Sequence, residues 1–252
     1  MARLFWPSDE AWAVVAQHLP RGKPGRPRVD DRRIISGILH VLKTGCRWRD
    51  VPPDYGPPTT VYNRYNRWSQ RGLWARLFER VAALGEVPAE LMIDSTHVKA
   101  HRSAAGGKGG SGTLGVGRSR GGRTSKIHLL ADDRGRPVAL ALTPGNVADI
   151  TIAPRLLGAV EPSWRGIADK AYDAASLRRW LATRGTEAVI PSNATRRTPY
   201  PLDKTAYARR NLVERLVGRL KNWRRIATRY DRLARNYIAA LALVATVADW
   251  VK

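Results

Sequence analysis

The spacing of apolar side chains predicts two regions that differ in secondary structure. Before residue 85 the apolar positions recur every three or four residues, as on the buried face of an amphipathic helix. Capping residues place the starts of three helices after Ser8, at Asp30 or Asp31, and at Thr59 or Thr60. Beyond residue 88, short apolar runs bounded by turn residues predict strands that alternate with helices. The chain is therefore expected to join an all-α region to an α/β region.

The α/β region is predicted to run in the order β-β-β-α-β-α-β-α. Five apolar runs are the expected strands: Leu91–Val98, Lys126–Ala131, Pro137–Thr143, Arg165–Asp173 and Glu187–Pro191. Helices are expected from a cap at Asp149, from about residue 174 to 184, and from Asp203 onward. A linker at Gly85–Pro88 divides the chain into predicted domains 1–85 and 86–252.

The third predicted helix of the first domain has a polar face suited to DNA. Its expected inward side chains are Val61, Tyr62, Tyr65 and Trp68, and its expected outward ones are Asn63, Arg64, Asn66, Arg67 and Arg71. Two helices joined by a tight corner resemble a helix-turn-helix, and Arg and Asn can pair with guanine and adenine edges in the major groove. The alternative is a solvated polar face without a ligand.

The charge of the chain indicates a polyanionic partner. Lys and Arg number 44 against 21 Asp and Glu, which leaves a formal net charge of +23. Most of the basic residues are arginines, which suit phosphate and guanine contacts, although arginine-rich codon usage would give the same bias. Because the excess extends over both predicted domains, both are expected to face nucleic acid.

Other features of the composition exclude several classes of protein. A single cysteine, Cys46, rules out an internal disulfide framework and a cysteine zinc site, and fits a reducing compartment. The first residues lack the apolar stretch of a signal peptide. The longest apolar run, Tyr237–Ala248, is too short to span a bilayer and is expected to be a buried helix. The sequence thus predicts a cytoplasmic protein without a membrane partner.

Two further basic segments are candidate DNA contacts. Lys23–Arg28 resembles an AT-hook core, which would place Arg26 in a narrow minor groove, and a plain basic linker is the alternative. The glycine-rich segment Gly106–Gly122 is too polar to pack and is expected to be mobile without DNA. Three arginines lie at its end: Arg118, Arg120 and Arg123.

Three carboxylates occupy positions that suggest chemistry. Asp94 interrupts the apolar run of the first predicted strand, and Asp169 lies at the end of the fourth. A buried charge in either place is costly unless a cation or hydrogen bonds compensate it. Glu214 is expected at the rim of the packed face of a helix; on one continuous helix it shares a polar stripe with Tyr207, Arg210 and Lys221. An ion-pair network among the many arginines is the alternative.

Their spacing carries a resemblance to a known family. Tyr207-x2-Arg210-x3-Glu214-x6-Lys221 resembles the tyrosine–arginine–glutamate–lysine signature of bacterial insertion-sequence DDE transposases. The phrases IDSTHVKAHRSA, GRSRGGRTSKIH and ADKAYD are similar to segments of the family-five branch, so the resemblance extends over nearly the whole chain. It implies an RNase H-like catalytic domain with a mixed five-stranded sheet. The first and fourth strands would be adjacent, with Asp94 beside Asp169.

The resemblance also implies a function. The enzyme would bind the terminal inverted repeats of an insertion sequence, cleave the ends, and join the 3′-OH to target DNA. Asp94, Asp169 and Glu214 would form the catalytic triad and hold two Mg²⁺ ions, for which Mn²⁺ can substitute. Tyr207, Arg210 and Lys221 would contact DNA near the cut, and pairing of two ends implies at least a homodimer. The alternatives are an RNase H-like nuclease that only hydrolyses DNA and an inactive or regulatory transposase-derived DNA-binding protein.

Overall fold

The computed structural model describes residues 4–20, 28, 30–105 and 114–251. The helices in this part of the chain are α1 (Asp9–Ala16), α2 (Asp31–Thr44), α3 (Pro58–Gln70), α4 (Leu73–Ala82), α5 (Arg102–Ala105), α6 (Ala153–Leu157), α7 (Ala175–Thr183), α8 (Lys204–Ala208), α9 (Asn211–Lys221), α10 (Arg224–Ala227) and α11 (Ala234–Ala245). The strands are β1 (Glu90–Ala100), β2 (Gly117–Ser119), β3 (Gly122–Ala131), β4 (Pro137–Pro144), β5 (Arg165–Ile167), β6 (Glu187–Val189) and β7 (Thr228–Arg229).

The chain forms two compact units that are interleaved in sequence. The first, which we call the helical unit, comprises Met1–Ala82, His101–Gly107 and Arg219–Lys252, and the second, the sheet unit, comprises Ala83–Ala100 and Lys108–Gly218. This division differs from the predicted 1–85 and 86–252, because the C-terminal residues cluster with the N-terminal helices. The unit boundary therefore falls within α9.

Apolar burial explains why the C-terminus belongs to the helical unit. Helix α11 is buried along nearly its whole length and packs on α3 and α4. The Tyr65 hydroxyl donates a hydrogen bond of 2.5 Å to the carbonyl of Asn236, which joins α3 to α11. The expectation of a buried helix around Tyr237–Ala248 is confirmed, and none of the helices described is long and apolar enough to cross a membrane.

The first helices begin largely where the capping residues predict. The Ser8 side chain accepts a hydrogen bond from the backbone of Ala11 at the start of α1, and Asp30 caps α2. Helix α3 begins one residue before the expected Thr59, because Pro58 occupies its first turn, where the missing N–H costs nothing. Gly45 ends α2 with a φ of 75°, a left-handed conformation that glycine adopts without strain.

The sheet unit contains the mixed sheet of an RNase H-like fold. Five strands lie in the order β4-β3-β1-β5-β6, and β2 forms a short hairpin with β3. Strand β3 is antiparallel to both β1 and β4, whereas β5 is parallel to β1 and to β6. All five predicted strands are present and β1 lies beside β5, which confirms the expected fold class. Strand β2 was not predicted, because it lies within a glycine-rich stretch without an apolar pattern.

Two predicted helices of this unit differ from expectation. Asp149 does not cap a helix that runs to residue 160; it begins a 3-10 turn (Asp149–Thr151), which the short α6 follows. The helix expected from Asp203 onward is interrupted at Arg209–Arg210, where i→i+3 hydrogen bonds close successive turns between α8 and α9. The prediction of one continuous helix from Tyr207 to Lys221 is therefore wrong.

Candidate active site

Two of the predicted catalytic acids come from neighbouring parallel strands: Asp94 lies within β1, and Asp169 lies two residues after the end of β5. The β1–β5 register pairs Leu91 with Gly166 and Met92 with Ile167. Two residues further along the same register, Asp94 is level with Asp169, and adjacent strands are about 4.8 Å apart. Asp94 lies within β1, whereas Asp169 caps the 3-10 turn Lys170–Tyr172 by accepting a 2.9 Å hydrogen bond from the backbone of Ala171. The backbone thus holds both acids next to each other at two inner strands of the sheet.

Arg210 joins the third acid to the first. One terminal nitrogen of its guanidinium lies 3.0 Å from Asp94 Oδ1, and the other pairs with Glu214 Oε1. The side chains of Asp94 and Arg210 are only 13% and 16% exposed, while that of Glu214 is 54% exposed. The interruption between α8 and α9 places Arg210 there, because it leaves the guanidinium free to point back at β1. Two carboxylates from distant parts of the chain therefore converge on a single cation.

The electrostatics of this group are dominated by burial. Removal from water raises the pKa of Asp94; Arg210 works in the opposite direction, and Asp169 adds to the rise. Burial opposes the charge of Arg210, but Asp94 and Glu214 together raise its pKa above the ordinary value. The ring of Tyr172, buried beside Asp94 and Asp169, has its hydroxyl pKa raised by burial as well. The site therefore concentrates negative charge that is only partly compensated.

The raised pKa of Asp94 predicts a stability gain on removing its charge. A carboxyl whose pKa rises on folding contributes stability at low pH, and that contribution is lost as the pH rises through the folded pKa. In EDTA-containing buffer, Asp94→Asn is expected to raise Tm near neutral pH, and to lose this advantage below the normal carboxyl pKa of about 4. Thermal unfolding between acidic and neutral pH measures this.

Asp173 provides the control with the opposite sign. Burial opposes its charge, but hydrogen bonds from Arg196, Asn193 and Arg178 lower its pKa overall. Asp173→Asn should therefore lower Tm at neutral pH, with the difference shrinking as the pH falls. A lower Tm for Asp94→Asn at neutral pH would mean that Arg210 compensates the buried Asp94 charge in full.

The donor set at this site fits a hard divalent cation. Carboxylate oxygens are the ligands that Mg²⁺ prefers, and Asp94 and Glu214 already share one bound cation, the guanidinium of Arg210. Within the described part of the chain, no three acidic, histidine or cysteine side chains are yet grouped closely enough to hold a metal ion. Glu214 is turned to Arg210 and Asp169 to the backbone of Ala171, so ligation would require these carboxylates to change partners.

A buried polar cluster beside Asp94 was missed by the sequence reasoning. Asp149 Oδ1 accepts a hydrogen bond of 2.7 Å from Ser95 and lies 2.9 Å from the ammonium of Lys126. Lys126 also donates a 2.7 Å hydrogen bond to the carbonyl of Val147. The cluster ties β3 and the segment after β4 to β1, one residue from Asp94. Its only signal in the sequence is the polar pair Lys126 and His128 in an otherwise apolar strand.

His128 lies beside this polar cluster and is a neutral residue with a structural role. Burial lowers its pKa to about 4, although the nearby Asp149 opposes the change. Its Nε2 lies 2.8 Å from the Thr143 hydroxyl on β4. The imidazole therefore remains uncharged at neutral pH and cross-links two strands.

The structure corrects the outward-facing assignment of Arg64 on α3. This residue is buried at 6% exposure, pairs with Asp31 of α2, and lies over the ring of Trp68 at 4.9 Å. Tyr62, expected inside, is exposed instead. The partner charge comes from Asp31, 33 positions earlier, and the helical period of the apolar residues cannot show a contact over that distance. Arg64 is thus a core residue of the helical unit and unavailable to a DNA groove.

We expect Arg64→Ala to destabilise the helical unit by about 3 kcal/mol, since it leaves Asp31 without this buried partner. Arg67→Ala on the same helix is the matched control, because Arg67 is exposed and should change stability by less than about 0.5 kcal/mol. Urea unfolding followed by tryptophan fluorescence measures both. Equal stability of the two variants would place Arg64 back among the surface residues.

The other predicted DNA contacts lie on several elements. Asn63 and Arg67 are exposed on α3, whereas Asn66 accepts a 3.1 Å hydrogen bond from the amide of Asn236. Arg118 and Arg123 are exposed and directly opposite each other in the β2–β3 hairpin.

The structure places the remaining predicted DNA contacts as follows. Arg120 is exposed in the turn of that hairpin, Tyr207 is half-buried on α8, and Lys221 is half-buried at the end of α9. Arg26 and the stretch 106–113 lie outside the described residues. Because the helix is interrupted, Tyr207 does not share a helical stripe with Glu214.

Comparisons with known proteins identify the family of this chain. A family model described as transposase DDE domain matches residues 86–248, and one described as putative transposase of the IS4/5 family matches residues 8–78. An uncharacterized protein, y4sN, of Sinorhizobium fredii is 37% identical over 119 residues, which cover 46% of this chain and 86% of that protein. A putative transposase for insertion sequence element IS6501 of Brucella ovis is 36% identical over 110 residues, which cover 43% and 85%.

Among solved structures, the fold is similar to the piggyBac transposase in a synaptic complex with hairpin DNA. The TM-score is 0.42 at 11% identity, and the match covers 76% of this chain. The chain spans about half the length of that protein, 48%.

Proposed function

This chain belongs to the DDE transposases of bacterial insertion sequences, and from that premise we propose that it cleaves the ends of its element and joins the freed 3′-OH to target DNA. In this proposal Asp94, Asp169 and Glu214 form the catalytic triad and hold two Mg²⁺ ions, for which Mn²⁺ can substitute. The alternatives are hydrolysis without joining and DNA binding without chemistry.

The convergence of Asp94 and Glu214 on one cation is the observation that carries the proposal. A shared arginine is not enough by itself, because Arg165 also binds three acids, Glu90, Glu187 and Asp203. What distinguishes Arg210 is where it lies: Asp94, which it binds, is level with Asp169 across two parallel strands, and Glu214 reaches the same place through Arg210. These three carboxylates do not yet form a metal site, and once brought together they would give the arrangement that two-metal phosphoryl transfer needs.

The protein's own residues divide the work of this reaction. Asp94 is held within β1, and Asp169 is held after β5 by the 3-10 turn that it caps. Glu214 is half-exposed on α9, so it can turn toward a ligand without disturbing the core. When bound, the divalent ions would activate the attacking oxygen and stabilise the leaving oxygen of an in-line displacement.

Basic side chains outside the triad would hold the DNA. A net charge of +23 favours phosphate contacts, and the facing Arg118 and Arg123 repel each other unless an anion lies between or beside them. We assign Arg120, Tyr207 and Lys221 to the same role, and Arg26, Asn63, Asn66 and Arg67 to recognition of the terminal repeats. Because two ends react together, the reacting species is at least a dimer.

A strand-transfer assay tests the proposed function. The purified full chain is mixed with duplexes that carry the two terminal repeats of its element, together with a supercoiled target plasmid and Mg²⁺. We expect cleavage at the repeat boundary and plasmid joined to the labelled 3′ end. Cleavage without joined product would indicate the nuclease, and binding without cleavage in either Mg²⁺ or Mn²⁺ would indicate the non-catalytic protein.

A further inference from the structure

Arg210 is held by two acids of the proposed triad and, within the described part of the chain, keeps one donor unsatisfied. Its two terminal nitrogens pair with Asp94 and Glu214, yet its buried Nε has no hydrogen-bond partner among the described residues. Arg32 and Arg225 also leave Nε without a partner in the part of the chain that the structure describes, so what sets Arg210 apart is that both acids it binds belong to the proposed triad. Here the positive charge of the guanidinium is matched, whereas its full set of hydrogen bonds is not.

The carboxylates that bind Arg210 are two of the carboxylates that the proposed function assigns to metal. A guanidinium and a divalent cation carry like charges and repel strongly at the few ångströms that separate ligands of one carboxylate. Asp94 and Glu214 therefore cannot serve both cations fully at the same time. Any metal bound through these acids has to compete with a cation that belongs to the chain itself.

We propose that Arg210 is an internal counter-cation: it competes with divalent metal for Asp94 and Glu214, and metal binding releases its guanidinium to a DNA phosphate. The inference rests on the proposed function, and it concerns how the site is controlled rather than what it catalyses. By linkage, a phosphate that holds the released guanidinium also strengthens metal binding.

The local structure is suited to such an exchange. Arg210 lies in the two-residue interruption between α8 and α9, where hydrogen bonds to Tyr207 and from Val213 hold its backbone. Glu214 is half-exposed and can change partner at little cost, while Asp94 is held within β1. The exchange thus needs only side-chain movement of Arg210 and Glu214.

The adjacent Arg209 offers a matched control. It pairs at 2.8 Å with Glu90, an acid outside the triad, and its removal changes the net charge of the chain by the same amount. Both substitutions change the overall charge equally. They differ in which acids lose their partner: Asp94 and Glu214 for Arg210→Ala, and Glu90 for Arg209→Ala.

The test is calorimetric titration of the full chain with Mn²⁺, and with Ca²⁺ as a second probe, in the absence of DNA. Arg210→Ala is expected to bind the metal about five- to tenfold more tightly than the wild type, because the competing cation is gone. Arg209→Ala should stay within about twofold of the wild type. Adding a terminal-repeat duplex should tighten metal binding more in the wild type than in Arg210→Ala.

Unchanged or weaker metal binding by folded Arg210→Ala would overturn the competition. If the alanine variant does not fold, Arg210→Gln keeps the side-chain bulk without the charge, and the same gain in metal affinity is required of it. Absence of metal binding in both the wild type and the Arg210 variants is a different result, and it would overturn the proposed two-metal function.

Discussion

Replacing any one of Asp94, Asp169 and Glu214 is expected to lower the rate of strand cleavage by about a thousandfold or more, a loss of about 4 kcal/mol of transition-state stabilisation. Asp94→Asn, Asp169→Asn and Glu214→Gln each keep the size of the side chain and remove its charge. The ligands of the two ions act as a unit, so loss of one carboxylate disables the displacement. DNA affinity should not fall, because these acids do not bind phosphate.

A carboxylate outside the triad separates this effect from a general change in charge. Glu187→Gln removes one negative charge from β6, where Glu187 pairs with Arg165, and should cleave DNA like the wild type. Cleavage is measured on a labelled terminal-repeat duplex with Mg²⁺, and binding on the same duplex with Ca²⁺. Normal cutting by Glu214→Gln, or cutting in excess EDTA, would contradict the triad.

The sheet could be predicted from the sequence because its strands are short apolar runs bounded by turn residues. The hairpin of β3 and β4 follows directly from such a pattern, as does the position of Asp94 within β1. The adjacency of β1 and β5 is a different matter, since local pattern does not order strands in a sheet. That feature came from the family resemblance, and the register bears it out.

The errors share one physical cause, which is contact between residues that are far apart in the chain. Arg64 was placed outside because Asp31, its partner, lies 33 residues away. The helix around Arg210 was predicted as continuous, because the local pattern does not show the contact between Arg210 and Asp94, which are 116 residues apart. Helix α11 joins the helical unit because its apolar length packs on α3 and α4. The period of the hydrophobic residues shows which side of an element is buried, but it does not show which residues that side packs against.

The buried cluster of Lys126, Asp149 and Ser95 leads to the second large effect. Asp149→Ala is expected to lower the free energy of unfolding of the sheet unit by about 3 kcal/mol, because it leaves the Lys126 ammonium buried without its counter-charge. The Val147 carbonyl alone would remain to solvate that ammonium, and Ser95 would lose its acceptor. The damage should centre on β1 and β3, which the cluster joins.

A double variant shows whether the uncompensated charge is the cause. Removing both partners, as in Lys126→Met with Asp149→Ala, eliminates the stranded ammonium, so this variant should be more stable than Asp149→Ala alone. Glu161→Ala, which changes an exposed acid of the same unit, should alter stability by less than about 0.5 kcal/mol. Hydrogen exchange of peptides covering residues 90–131 locates the loss. If Lys126→Met and Asp149→Ala lowered the free energy of unfolding by additive amounts, Lys126 and Asp149 would not depend on each other. The cluster could then not be what holds β1 in place beside Asp94.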